Sequence, residues 1–328
     1  MFKVLAAIIL SSSIAQANNI PSGHEVANGG FFFECQADSA PGAGVFSMDR
    51  LEGESLYSLF AASHFANFAK EDEIIRFILD DLRLTNPTRA NQYAKWFEEL
   101  YANKVYAAEL AIKPVADTGT VTIPSGCQLR QAAVFMTEDG TSTGRFIYDE
   151  SLWERASALD RAYLLLHELI YQEAKLPENA HTNSMATRYL NAYLFAHSGQ
   201  LKDFELLQIL IKTKFRRADY RGIPLVLTSM DNNGRLSTES VDYFPRSNFV
   251  RQAVLDDTFH LRIGTQSFSR QCQVPNTTFR NTKNLVEFYP NGRVKRLVFE
   301  VFANIPGCGE INGSNHLEFD EAGQSLSR

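Results

Sequence analysis

The sequence predicts an α+β chain: a mainly helical N-terminal domain with a small sheet, then an antiparallel β domain with hairpin repeats. Three observations carry this expectation. Apolar residues recur at helical spacing in successive blocks as far as Phe215. After Gly222 the pattern changes to short β-rich runs divided by turn residues. Three of those turns form a loose repeat, Asn232-Asn233-Gly234-Arg235, Pro290-Asn291-Gly292-Arg293 and Glu321-Ala322-Gly323-Gln324. With 328 residues, 45% apolar and 21% charged, the chain has the balance and length of a two-domain globular protein. That composition excludes a disordered, collagen-like or multi-spanning membrane chain. A net charge of −6 supplies no electrostatic footprint for nucleic acid.

The elements follow in order. Met1 to Ala17 reads as a signal peptide: Lys3, an apolar run from Val4 to Leu10, then the small-residue site Ala15-Gln16-Ala17. The run is too short to span a bilayer, and cleavage near Ala17 leaves a mature chain from Asn18 with a net charge of −7. Phe31 to Cys35 is an expected buried strand. Leu56 to Leu84 carries helical periodicity, with Glu71, Asp72 and Glu73 opening the second of two helices at its positive dipole end. Asn86-Pro87-Thr88 breaks the pattern, and Gln92 to Tyr101 resumes it. Gln128 to Met136 and Arg145 to Tyr148 read as strands. Asp149 to Lys175 reads as one long helix ended by Pro177. Helices over Ser184–His197 and Asp203–Phe215 follow. The domains are therefore set at 1–17 (leader), 18–221 and 222–328. In the third, Asn291-Gly292 is expected to make a type I′ hairpin turn, with positive φ at both residues.

Four cysteines fit an oxidising compartment, and pairing within each domain gives Cys35–Cys127 and Cys272–Cys308.

The segment with most chemistry is Leu166-His167-Glu168-Leu169-Ile170-Tyr171. It resembles the H-E-x-x-H helix of zinc-dependent peptidases. There two histidines four apart bind zinc, and the glutamate between them activates the metal-bound water. Here Tyr171 stands at the second histidine position, and a neutral phenol of pKa about 10 is a poor zinc ligand. His181 is the one nearby histidine that could join His167 as a metal ligand, with a carboxylate such as Glu173 or Glu178. The alternative is a metal-free buried network. If the two helices around residue 179 form an antiparallel hairpin, Glu168 pairs with Arg188 or accepts from Asn191.

The motifs Ile123-Pro124-Ser125-Gly126-Cys127, Ser151-Leu152-Trp153, Leu166-His167-Glu168 with Tyr171, Thr182-Asn183-Ser184, Arg188-Tyr189 and Asn191 carry a second resemblance. Over residues 30–200 the chain is similar to a set of exported proteins of Gram-negative, partly predatory, bacteria that carry no assigned activity. That resemblance implies that His167, Glu168, Tyr171, Ser184 and Arg188 belong together. The C-terminal Asn-Gly turns are loosely similar to MORN-like hairpin repeats.

Two functional expectations result. One is a binding or structural protein of the bacterial envelope, periplasmic or extracellular, without a cofactor, meeting an envelope protein or cell-wall polymer. The other is a divergent hydrolase that uses zinc, with Glu168 as base and His167 as ligand or acid.

Overall fold

A computed structural model of the chain describes residues 26–28, 30–39, 41–57, 65–107, 122–137, 144–179 and 181–227. Beyond these it describes 229–230, 236–237, 241–245, 249–255, 258–263, 266–271, 285–298, 316–322, 324 and 326. The expected leader, Cys272, Cys308 and the Asn232-Asn233-Gly234 turn lie outside the described residues. The fold class is the expected α+β, with helices concentrated in the first two-thirds and a large antiparallel sheet in the last third.

Seven helices are described: α1 (Met48–Tyr57), α2 (Glu71–Thr85), α3 (Pro87–Ala102), α4 (Glu150–Arg155), α5 (Ala158–Ala174), α6 (Met185–His197) and α7 (Asp203–Lys212). Their ends follow local chemistry. Glu73 reaches back to the backbone N–H groups of Ala69 and Lys70 at 3.1 and 3.2 Å, which fixes the start of α2. Asn86 accepts from the Arg89 N–H at 3.2 Å, and Pro87 takes the first position of α3, where a missing N–H costs nothing. The single helix expected over Asp149–Lys175 is two helices. Ser157 sits between them and caps α5 by accepting from the Asp160 N–H at 3.1 Å. Helix α5 is buried on almost every side and is wrapped by α1, α2, α3 and α6.

Before α5, the chain forms β1 (Val26–Asn28), β2 (Phe31–Cys35), β3 (Gly44–Ser47), β4 (Val105–Ala107), β5 (Cys127–Gln131), β6 (Ala133–Thr137) and β7 (Gly144–Asp149). They make two small sheets, β3-β2-β5 and β1-β6-β7-β4. The strand expected across Gln128–Met136 breaks at Ala132. Its N–H binds the Gly30 carbonyl and its carbonyl takes the Asp149 N–H, both at 3.0 Å, so β5 and β6 enter different sheets. Strand β2 is buried on both faces. Phe32 joins the main core, while Phe31, Phe33 and Cys35 face a smaller cluster with Met48. Cys35 lies opposite Cys127 across β2–β5 and is bonded to it, as expected.

The C-terminal third adds β8 (Arg217–Tyr220), β9 (Ile223–Val226), β10 (Ser229–Met230), β11 (Leu236–Ser237), β12 (Val241–Tyr243), β13 (Val250–Leu255), β14 (Thr258–Ile263), β15 (Gln266–Gln271), β16 (Leu285–Phe288), β17 (Val294–Val298) and β18 (His316–Glu318). The order is β18-β17-β16-β13-β9-β8, with β12 also on β13 and with β10–β11 and β14–β15 as separate hairpins. The β16–β17 hairpin forms, but its turn differs from the expected type I′. Pro290 and Asn291 keep negative φ and only Gly292 is left-handed, at φ 80°. Gly292 N–H donates to the Tyr289 carbonyl at 2.8 Å, a type I turn followed by a left-handed glycine bulge. Proline fixes φ near −65° and so selects this turn.

Residues 221 and 222 form the turn between β8 and β9, and one buried cluster runs across them, joining Leu207, Leu210 and Phe215 to Leu225, Val250 and Leu297.

Candidate functional site

His167 and Tyr171 lie one turn apart on α5, as their spacing requires, and their rings stack at 5.9 Å and 27°. Helix α6 faces them with Arg188 and Asn191, three residues apart. The third side is α1, which brings Asp49 and Glu52, again three residues apart. Three helices therefore meet through polar pairs at helical spacing.

Asp49 joins them. Its Oδ2 pairs with His167 Nδ1 at 2.7 Å and accepts from Asn191 Nδ2 at 2.6 Å. Asn191 Nδ2 also donates to the Tyr163 carbonyl on α5 at 2.9 Å. Arg188 Nη1 donates to Glu52 Oε1 at 2.9 Å and lies 3.6 Å from Met48 Sδ. Glu168 points away from α6. Its Oε1 accepts the Gly30 N–H at 2.5 Å, and its Oε2 has no hydrogen-bond partner. The expected pairing of Glu168 with Arg188 or Asn191 is thus corrected: both are drawn to α1, and Glu168 binds backbone ahead of β2. Ser184 lies at the start of α6, buried, with its hydroxyl unpartnered.

Two close approaches make this possible. A Cβ on Gly30 would meet Leu164 Cδ1 at 2.3 Å and Glu168 Oε1 at 3.3 Å. A Cβ on Gly53 would meet Ala192 Cβ at 2.9 Å, so α1 lies against α6 only because that residue has none. The start of α1 is held by Asp160, which accepts from the Ser47 N–H at 2.8 Å and from Arg50 Nη1 at 3.0 Å.

The centre of the set is sealed: His167 and Glu168 are 1% exposed and Asn191 is 0% exposed, while Glu52 at its edge is partly exposed. Burial pushes the Asp49 carboxyl up, but the charge and hydrogen bond of His167, the amide of Asn191 and the charge of Arg188 together hold it below its usual range. Burial pushes the His167 imidazole down, and the charge and hydrogen bond of Asp49 outweigh it, so His167 is raised. Glu168 is pushed up to about 7 by burial, against the pull of His167 and the Gly30 N–H. Glu52 is also raised to about 7 by burial, against the pull of Arg188. Asp49 is thus lowered and His167 raised by each other, beside two carboxyls that burial raises to about 7.

The zinc alternative finds no donor set among the described residues. His167 Nδ1 is committed to Asp49. His181 lies at the C-terminal end of α5, where its N–H binds the Ala174 carbonyl and its Nε2 faces the Lys214 carbonyl at 3.2 Å. Glu173 is engaged by Arg89 at 2.8 and 2.9 Å and by the Tyr93 hydroxyl.

Asp49, Glu52 and Gly30 escape the sequence reading. The legible signal is Met48-Asp49-Arg50-Leu51-Glu52, which carries apolar and acidic residues at helical spacing. The Gly53 that follows interrupts the pattern. Comparison with protein-family models, curated proteins and solved structures finds no match for the chain.

Proposed function

We propose that this chain is an exported envelope protein, periplasmic or extracellular, that binds or organises an envelope partner, and that His167 and Glu168 serve its architecture. The observation that carries the reading is the sealing of His167, Glu168 and Asn191 at the meeting of α1, α5 and α6. A catalytic pair must reach substrate, whereas a clamp needs only its partners. The leader pattern and the Cys35–Cys127 bridge support export to an oxidising compartment.

One observation favours the second reading, a divergent hydrolase with Glu168 as base. Glu168 Oε2 is unpartnered, and its carboxyl is raised to about 7, where a general base works best.

Bound metal per chain, measured on mature protein purified without chelator, separates the two when run beside His167→Ala. The clamp predicts no stoichiometric metal in either protein and a variant destabilised by about 3–5 kcal/mol, the cost of breaking a buried charge pair. One zinc per chain, lost in His167→Ala, overturns the metal-free clamp and makes the hydrolase the leading reading.

A further inference from the structure

The ends of α5 and α7 meet near the start of α6, and His181 ties them together. Its N–H donates to the Ala174 carbonyl on α5, its ring packs on Phe215 at 5.0 Å, and its Nε2 faces the Lys214 carbonyl just past α7. Lys212, in the last turn of α7, donates through Nζ to the Tyr189 hydroxyl of α6 at 2.6 Å.

The face so formed is basic. It carries Lys175, Lys212 and Lys214, all exposed, and the half-buried Arg216. None of the four forms an ion pair among the described residues. The carboxylates near them are mostly spent: Arg89 holds Glu173 at 2.8 and 2.9 Å, Arg188 holds Glu52 at 2.9 Å, and Glu178 remains. The chain as a whole has 38 Asp and Glu against 32 Lys and Arg, so this group runs against its overall balance. Burial pushes the His181 imidazole down, and the charges of Lys214 and Lys175 push the same way, against Glu173 and the Lys214 carbonyl.

Helix capping does not use these cations. Lysines gather at helix C-termini to meet free carbonyls, but here the chain meets them itself. The Ile209 carbonyl accepts from the Thr213 N–H at 2.8 Å and hydroxyl at 2.6 Å, the Leu210 carbonyl from the Phe215 N–H and the Ile211 carbonyl from the Lys214 N–H, both at 3.0 Å. On α5, the Tyr171, Glu173 and Ala174 carbonyls take the N–H groups of Lys175, Leu176 and His181. Tyrosine rings hold two of the ammonium groups in place, Lys175 at 5.0 Å over Tyr171 and Lys212 at 4.4 Å over Tyr189.

The face also has an apolar tip. Met185, 49% exposed, stands one turn before Tyr189 on the same side of α6, and Pro177 is exposed two residues after Lys175. A soluble polyanion uses the cations and leaves Met185 in water, whereas a bilayer surface takes both. We propose that this face docks the chain on an anionic phospholipid surface, with Lys175, Lys212, Lys214 and Arg216 at the phosphates and Met185 at the headgroup boundary. The inference names a partner for the envelope reading and rests on it only for the chain's meeting such a surface.

Vesicle sedimentation with the full mature chain tests it, using phosphatidylcholine vesicles with and without about 30% phosphatidylglycerol. Near an anionic surface each Lys or Arg counts for about fivefold in affinity, so four give half-maximal binding at about 1–2 mM accessible lipid in low salt. Salt at about 0.5 M releases the protein. The pair Lys175→Gln, Lys214→Gln weakens binding about 25-fold, and Met185→Ser weakens it severalfold. The control pair Lys70→Gln, Lys95→Gln, on exposed positions of the α2–α3 side, leaves it unchanged, with thermal melting confirming the fold of each variant. The proposal is overturned by no sedimentation with anionic vesicles in low salt, by equal sedimentation with phosphatidylcholine alone, or by equal losses in the two lysine pairs. Binding of soluble polyphosphate without binding of vesicles overturns it too. Each of these results leaves the envelope reading standing with a different partner, and none bears on the metal measurement that decides between clamp and hydrolase.

Discussion

Glu168 shows how far one residue's chemistry departs from what its neighbours in sequence imply. Next to His167 it reads as a charged partner, yet it sits against a backbone N–H with one oxygen unpaired. With its folded pKa raised from 4.5 to about 7, the native state binds the extra proton between those values. Stability from this group is therefore present at low pH and falls as pH rises from about 4.5 through about 7. Glu52, raised likewise, adds a slope of the same sign. Glu168→Gln mimics the protonated acid and removes its share, so the variant matches or exceeds the wild type at high pH. Urea unfolding at acid and alkaline pH reads this, and an unchanged slope in the variant contradicts it. His167 behaves in the same direction at higher pH. Its raised pKa gives stability that is full below 6.5 and lost as pH climbs through the folded value. Asp49, held below 3.8, gives stability that is present above that value and lost only in stronger acid. The pairing His167–Tyr171 was legible because helical spacing fixes it. The partners of Glu168, Arg188 and Asn191 were not, since a third helix outbids the one next in sequence.

At the scale of elements, apolar periodicity identifies α2, α3, α6 and α7 to within a few residues. It misses α1, where Gly53 interrupts a short acidic run. That glycine is what the packing needs, because α1 crosses α6 at the Ala192 backbone. Gly53→Val is expected to force the two helices apart, loosen both Asp49 and Glu52 from α6, and cost about 2–4 kcal/mol. That range sums overpacking with part of the lost network. Gly30→Ala drives a methyl into Leu164 and displaces the Glu168 hydrogen bond, at a cost of about 1–3 kcal/mol. Chemical denaturation measures both, and near-neutral values contradict the close approaches. Two elements were read as one where a single serine decides. Ser157 caps α5 and so ends the pattern that began at Glu150. The β16–β17 hairpin was legible in place and wrong in turn type, because the dipeptide rule for Asn-Gly does not weigh the proline before it.

For the whole molecule, the change of texture read at Gly222 falls a few residues late, since α7 ends at Lys212 and β8 of the large sheet begins at Arg217. Gly222 marks a β-turn inside one sheet edge, and Tyr220 packs edge-on against Phe288 at 5.5 Å across it. A fragment ending at Arg221 would lose β9 and expose Leu207, Leu210 and Phe215. We expect it to lose cooperative melting and to bind a hydrophobic dye, whereas a sharp two-state transition in that fragment would show an autonomous unit. The Cys35–Cys127 bridge spans 92 residues of that first part. Chain entropy assigns such a loop roughly 4–5 kcal/mol, less any native strain. The paired Cys35→Ala, Cys127→Ala variant should melt markedly lower.

The central claim is that the Asp49–His167 pair is a structural clamp between α1 and α5. A double-mutant cycle with Asp49→Asn, His167→Gln and the combination, read by equilibrium unfolding near pH 6, tests it most directly. The account predicts that each single change is strongly destabilising and that the two are coupled by more than about 1 kcal/mol. Losses that add within about 0.5 kcal/mol would show that the two side chains do not hold each other, and the clamp would fail with them.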